Sequence, residues 1–467
     1  MALTKIGTSG IKDDAVTTDK VANASNTSIA ANTAKDLTAL SAANLTSGTI
    51  PDARFPATLP TASAANLTAV PAANITGTLP AISATNLTNI PAANITGTLP
   101  AISGANLTGI SSAGRAHNLI VNGAMLVAQR ATSSTSNLYA TVDRFRFAYS
   151  GHDESPTQAQ VDVASGTTPY TLGFRKALKL TNGNQSSGAG TGDRIAWEYR
   201  IEAQDIAGSG WNYVSASSNI TLSFWIKSSV AQSFHFYFET SDGTAQIYPM
   251  STGSLSADTW TKITKTIPGN SNLQFDNDNG LGLKLYFSYY AGTIFTDNSQ
   301  SLNAWDTYAT DSRFPDDTST WYTTDNATVE MTGLQLEVGD SATDFEHLTY
   351  AENLTKCERY FQSVRQNIWG MTQDSNGRVL WVYPLKTEMR TGPTVSATTT
   401  AIRYGNQVNA AKAITNMTIN RSGYGDSKTA DFAPSGTLGG SATSAFDWQF
   451  LEPGASSDAT FHFSAEL

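Results

Sequence analysis

Apolar and polar side chains alternate in five stretches between residues 220 and 339: ITLSFWIKSS (220–229), SFHFYFETSDG (233–243), WTKITKTIPG (260–269), LGLKLYFSYYAG (281–292) and ATVEMTGLQLEVG (327–339). A period of two puts successive side chains on opposite faces of a strand. In the second stretch Phe234, Phe236 and Phe238 share one face, and His235, Tyr237 and Glu239 the other. Turn sequences such as SDGT and IPGN separate the runs. Short amphipathic strands between turns predict an antiparallel β-sandwich of jelly-roll type over 111–350. A second, smaller β unit is expected over 351–467. It opens on the helix-compatible YAENLTKCERYFQSVRQ and turns strand-like in RVLWVYPLKTEMRTGPTVSATTT, AFDWQFLEPG and ATFHFSAEL.

The pattern over 41–110 is different. NLT recurs at Asn44, Asn66, Asn86 and Asn106, a period of about 20 residues, and PAANITGTLPAIS appears identically at 71–83 and 91–103. Apolar positions such as Leu67, Val70, Ile75, Leu79 and Ile82 have near-helical gaps. Pro71, Pro80, Pro91 and Pro100 exclude a helix, because each would remove a hydrogen bond and clash at a cost of about 3 kcal/mol. Short extended pieces joined by tight turns remain. One such thread cannot bury its apolar side chains, whereas three wound together can point them at a common axis. The expectation is a trimeric fibre shaft, with a single-chain β-solenoid as the alternative. Residues 1–40 carry too little apolar surface to fold alone and are expected to attach to a partner. The whole chain is thus expected to be mostly β: an extended segment (1–40), a repeat shaft (41–110), a jelly roll (111–350) and a tip (351–467).

Charge narrows the chemistry. Only 15% of the 467 residues are charged, and the formal net charge is −10. No basic cluster exceeds a pair, which argues against a nucleic-acid partner. Cys357 is the single cysteine, so no internal disulfide or cysteine zinc site is expected. MALTKIGTSGIKDDAVTTDK lacks the features of a signal peptide, and no apolar run approaches membrane-spanning length, so membrane insertion is not expected. The sequons at Asn44, Asn66, Asn74, Asn86, Asn94 and Asn106 follow from turn residues recurring with the repeat and do not predict glycosylation. Synthesis in a cytoplasm combined with an extracellular-type composition points to a virion component released by lysis.

NLIVNGAMLVAQR (118–130) followed by TVDRFRF (141–147) resembles the opening of a β-sandwich module of bacteriophage tail fibres and related phage structural proteins: an Asn–Gly strand, a Gln–Arg pair and an Asp–Arg–aromatic turn. Phe145 stands where such modules more often carry Trp. LQLEVGDSATDFEHLTYAENLTKCERYFQ (334–362) resembles the close of that module, and YPLKTEMRTGPTVS (383–396) the strand that follows it. The repeat resembles shaft repeats of marine and cyanophage fibres. This resemblance implies a homotrimeric fibre held by a tail or baseplate protein through residues 1–40, with sandwich and tip turned toward a host surface glycan.

Catalytic motifs are sparse. His117, His152, His235, His347 and His462 show no zinc spacing, and neither a nucleophile elbow nor a phosphate-binding loop is present. Glu198, Glu202, Glu239, Glu330, Glu337 and Glu346 could serve a glycosidase, which needs only two carboxylates. DNDNG (276–280) resembles an EF-hand opening, but Phe287 occupies the twelfth position where that loop needs Glu. It is expected to be a turn, though its oxygens could hold a structural Ca²⁺. No metal site, cofactor or catalysis is expected. The long connection 293–326 combines aromatic faces with carboxylates, the pairing that sugar recognition uses. Trp305, Asp306, Tyr308, Asp316, Trp321 and Tyr322 are the glycan-binding candidates. An adhesin is the leading expectation; a purely structural fibre or adaptor and a polysaccharide-degrading spike are the alternatives.

Overall fold

A computed structural model describes residues 118–364, 368–372, 379–397, 402–405, 412–413, 418–420, 429–435, 448–453 and 460–467. All described residues lie in one compact unit, within Ser103–Leu467. The expected attachment segment and repeat shaft lie outside the described residues.

Two antiparallel six-stranded sheets form the sandwich. The first runs β1 (Ser133–Ser134), β3 (Thr157–Asp162), β4 (Lys176–Thr181), β12 (Thr328–Val338), β6 (Asn219–Ser228), β9 (Thr261–Pro268). The second runs β11 (Asp306–Thr307), β8 (Gln246–Ser251), β7 (His235–Thr240), β10 (Leu281–Ala291), β5 (Arg194–Glu202), β2 (Phe145–Ser150). Eight of these strands follow the jelly-roll order, β4-β12-β6-β9 facing β5-β10-β7-β8. The five alternating stretches correspond to β6, β7, β9, β10 and β12. Inward residues of the two sheets interlock: Trp197 of β5 stacks on Phe287 at 5.7 Å, and Phe224 meets Phe236 edge-on at 5.5 Å. Phe145, in the position where Trp is more usual, is buried and packs edge-on against Trp197 and Tyr199.

The opening motif departs from expectation. Residues 118–130 form turns and irregular backbone in place of an Asn–Gly strand. Asn122 adopts φ 63° and its amide takes over the local backbone partners, donating to Val127 O and Asp143 O and accepting from Val127 N. Gly123 is required by close approach: a Cβ there would lie 2.0 Å from Leu334 O, which is held by the Leu334 N to Gly123 O hydrogen bond of 2.9 Å.

Beyond the sandwich, helix α4 (Tyr350–Glu358) follows three one-turn helices: α1 (Thr168–Thr171), α2 (Ala203–Ala207) and α3 (Thr320–Thr323). A capping box starts α4: Glu352 N donates to Thr349 Oγ1, and Thr349 N to Glu352 Oε2. The helix-compatible sequence runs to residue 366, but the helix stops at Glu358 and the chain enters β13 (Phe361–Val364). Tertiary contacts override local propensity there. The Arg144 guanidinium lies 3.4 Å from the Tyr360 ring centre, and that of Arg130 3.5 Å from the Phe361 ring centre. β13 pairs with β22 (Phe461–Ser464), which also pairs with β16 (Thr394–Ala397). The remaining strands form a seven-stranded sheet in the order β18 (Lys412–Ala413), β17 (Ile402–Gly405), β21 (Trp448–Pro453), β14 (Ile368–Thr372), β15 (Val379–Pro384), β20 (Thr429–Ser435), β19 (Thr418–Asn420). Among the described residues no helix is long and apolar enough to cross a membrane.

Candidate functional site

The side chains carrying the phage-module resemblance tie the sandwich to α4, β13 and Glu466. Asp143 accepts from Gln129 N and Nε2, Gln129 Nε2 also reaches Phe361 O, and Arg130 and Arg144 both pair with Glu466, whose side chain is 6% exposed. Arg359 grips Glu202 through two hydrogen bonds of 2.8 and 2.7 Å. Burial alone would raise the Glu202 carboxyl, but the Arg359 fork together with hydrogen bonds from Tyr360 and Gln204 holds it below the usual carboxylate range. These residues are a structural latch.

The expected candidates sit on the connection between β10 and β12, which folds over the outward face of the second sheet. On that face Tyr237 stacks on Tyr286 at 4.7 Å, and Phe314 from the connection packs on Tyr237 and His235. Asp317 pins the cover down: its Oδ1 meets His235 Nδ1 at 2.8 Å, and its Oδ2 accepts from Ser288 Oγ and Ala291 N. Burial raises the Asp317 carboxyl above its ordinary range despite these bonds. Tyr237 and His235, polar-face residues by alternation, are therefore buried.

The six candidates separate into three pairs. Trp321 and Tyr322 are core residues at 0% and 1% exposure. The Trp321 ring stacks on Tyr289 at 5.2 Å; Tyr322 stacks on Tyr290 at 4.4 Å and donates to Asp193 Oδ2. Neither offers a ring face to a ligand. Asp316 and Trp305 hold the loop in shape. Asp316 accepts from Thr296 Oγ1 and Asn298 Nδ2, while Trp305 donates to Pro268 O at 2.7 Å and leans on Tyr248. Asp306 and Tyr308 face outward, Asp306 exposed on the edge strand β11 and Tyr308 half-buried.

Tyr308 forms one wall of a polar trough. Its floor is the part of the same sheet face beside Phe314, where strand register aligns Arg146 with the buried Glu198, Arg200 with Lys284, and Lys284 with Glu239, and where Arg200 Nη1 also donates to Leu467 O at 2.7 Å. The charges interlock: Arg146 and Arg200 reach Glu198 at 3.0 and 2.8 Å, and Lys284 reaches Glu239 at 2.6 Å. Lys284 Nζ also lies 5.9 Å from the Tyr308 ring centre. Burial alone would raise the Glu198 carboxyl, but Lys284, Arg200 and Arg146 together hold it below the usual range. The trough can therefore donate and accept hydrogen bonds beside an aromatic wall. Arg146, Arg200 and Lys284 were not among the expected residues. Their signal was present in RFRF, EYRIE and LKLYF, where charges occupy alternate positions, but only cross-strand register shows that they converge.

All six candidate carboxylates have partners. Glu198, Glu202 and Glu239 pair as above, and Glu330 pairs with Lys227 at 3.0 Å. Glu337 accepts from Gln335 and Thr343, and Glu346 from Asn118 N. DNDNG is a turn before β10. Asp278 accepts from Gly280 N, and Asn279 exchanges hydrogen bonds with Arg390. Among the described residues no three His, Cys, Asp or Glu side chains converge on a possible metal position.

These strands and faces define a jelly-roll β-sandwich with a polar trough on one sheet. No protein-family model matches the sequence, and no curated protein does. Among solved structures, the enzymatically active domain of bacteriophage CBA120 tailspike protein 4 aligns at 10% identity and TM-score 0.26, over 48% of this chain and 21% of that one. A CBM4 structure aligns at 12% identity and TM-score 0.25, over 47% and 98%. The family 11 carbohydrate-binding module of the Clostridium thermocellum cellulosomal cellulase Lic26A-Cel5E aligns at 14% identity and TM-score 0.22, over 46% and 98%. The jelly-roll assignment stands on the strand pairing itself.

Proposed function

We propose that the chain is a homotrimeric fibre of a phage-type virion whose sandwich adheres to a neutral surface glycan without cleaving it. The observation that carries the binding reading is the trough: interlocked Glu198, Arg200, Arg146, Lys284 and Glu239 beside the half-buried Tyr308 ring. Alternating charge suits hydroxyls, which both donate and accept, and an aromatic wall suits the C–H face of a sugar. The non-catalytic reading draws on Glu198, which its cations keep ionised, whereas a glycosidase acid must hold its proton. The fibre reading draws on the 20-residue repeat, and attachment through residues 1–40 follows from it.

Affinity electrophoresis of the full chain against neutral polysaccharides tests the binding. Tyr308→Ala is expected to weaken the retarding interaction about tenfold, the factor that accompanies about 1.4 kcal/mol. Unchanged binding by the variant, or no neutral glycan bound by the parent, overturns the trough. Released reducing ends would overturn the non-catalytic reading. A light-scattering mass near one 49.6 kDa chain would overturn the trimer.

A further inference from the structure

The outward face of the first sheet is covered over one half only. After β12 the chain folds back across it. Thr221 Oγ1 donates to Gly339 O at 2.8 Å, Thr266 Oγ1 to Asp340 O at 3.1 Å, and Glu346 N to Gln335 Oε1 at 2.8 Å. This strap ends with Phe345 packed on Phe174. The other half keeps two half-buried indoles, Trp225 on β6 and Trp260 just before β9. Register places Trp225 opposite Lys262, which makes Trp260 its diagonal neighbour on the same face. Lys179 and Lys227 flank Glu330 in the next row. Lys227 lies 5.3 Å from the Trp260 ring centre and takes Glu330 as its partner. Lys179 and Lys262 form no ion pair among the described residues. A chain of net charge −10 thus presents here three lysines, one carboxylate and two indoles with outward edges.

We propose that this half-face is a second carbohydrate site, distinct from the Tyr308 trough and selective for an acidic polysaccharide of the polyuronate class. Trp225 and Trp260 would lie against successive sugar faces, and Lys179 and Lys262 would meet the uronate carboxylates. Local positive charge complements an anionic chain that the rest of the surface repels, so binding is confined to this face and weakens with salt. The inference rests on the glycan-adhesion reading but uses none of the trough residues.

The test titrates the full chain with alginate, a polyuronate, and in parallel with a neutral β-glucan. Alginate binding is expected in the parent, about tenfold weaker in Trp260→Ala and in Lys262→Glu, and unchanged in Tyr308→Ala. Lys262 is exposed, so its reversal keeps the test independent of folding. Alginate ignored by the parent, or bound by Lys262→Glu and Trp260→Ala as tightly as by the parent, overturns the inference. So does a drop in assembly mass in Trp260→Ala, which would make the face a contact between copies of the chain. Neutral-glycan binding lost only in Tyr308→Ala, with no alginate binding, overturns this site and leaves the trough standing. Alginate binding without any neutral-glycan binding does the reverse.

Discussion

Trp321→Ala separates a core role from a binding role for the most prominent aromatic residue of the long connection. The indole is 0% exposed, stacks on Tyr289 at 5.2 Å and meets Phe234 edge-on at 6.5 Å. Truncation leaves a cavity between the sheets that neighbours anchored in two strands cannot collapse into. Removing a buried Trp of this kind costs about 3–5 kcal/mol. For a domain of about 200 residues each kcal/mol moves the melting temperature by about 2–4 °C, so a fall of roughly 10 °C is expected. Urea titration should show a lower midpoint with an unchanged slope, the signature of lost stability without a change in the surface exposed. Affinity for a neutral glycan, measured well below the melting transition, should stay within about twofold of the parent. Parent-like melting together with lost glycan binding would refute the reasoning, because it would mean that Trp321 turns outward to meet the ligand.

Glu202→Gln should lower stability by about 2–3 kcal/mol in urea titration, short of the cost for a fully enclosed pair because Arg359 reaches solvent. An unchanged midpoint would show that the α4 junction does not depend on this fork. Asp143 gives a pH signature: burial pushes its carboxyl up to about 6, against the pull of Arg130 and Gln129. Between about pH 4 and pH 6 the folded state therefore holds a proton that the unfolded chain has released, and this group's contribution falls as pH rises through that window, by about 3 kcal/mol in all. The stability of the parent relative to Asp143→Asn should decline across that range and level off above it; parallel profiles in the two proteins would sink the assignment.

The strands and their inward faces were legible because a period of two is local, and burial of Phe234, Phe236 and Phe238 follows from it directly. The helix after residue 349 was legible in type but not in length, because the Arg144 and Arg130 clamps on Tyr360 and Phe361 come from far away in sequence. The binding candidates were chosen by composition, which cannot tell an aromatic residue on a loop from one that the loop delivers to the core. Trp321 and Tyr322 lie on the single turn of α3, whose burial depends on Tyr289 and Tyr290 beneath it. The trough needs four strands in register, and register across long connections is not written in any one segment.

Arg144 and Glu466 are separated by 322 residues, so the order in which the chain is synthesised matters. At about 5–20 residues per second a ribosome needs roughly 15 seconds to a minute to travel between them. In the last part of that interval, after Val338 has been made, the jelly-roll strands can all pair while Arg130 and Arg144 have no Glu466 to receive them. Keeping these guanidiniums hydrated is then favoured over enclosing them, so the rim around residues 118–144 stays open until late in synthesis. Premature termination before residue 461 would leave a sandwich with its hydrophobic interior assembled, Arg144 without its carboxylate, and Arg130 with Asp143 as its remaining partner. Such a product should be recognisable by trypsin cleavage at Arg130 and Arg144, whose side chains are only 14% and 1% exposed in the finished protein.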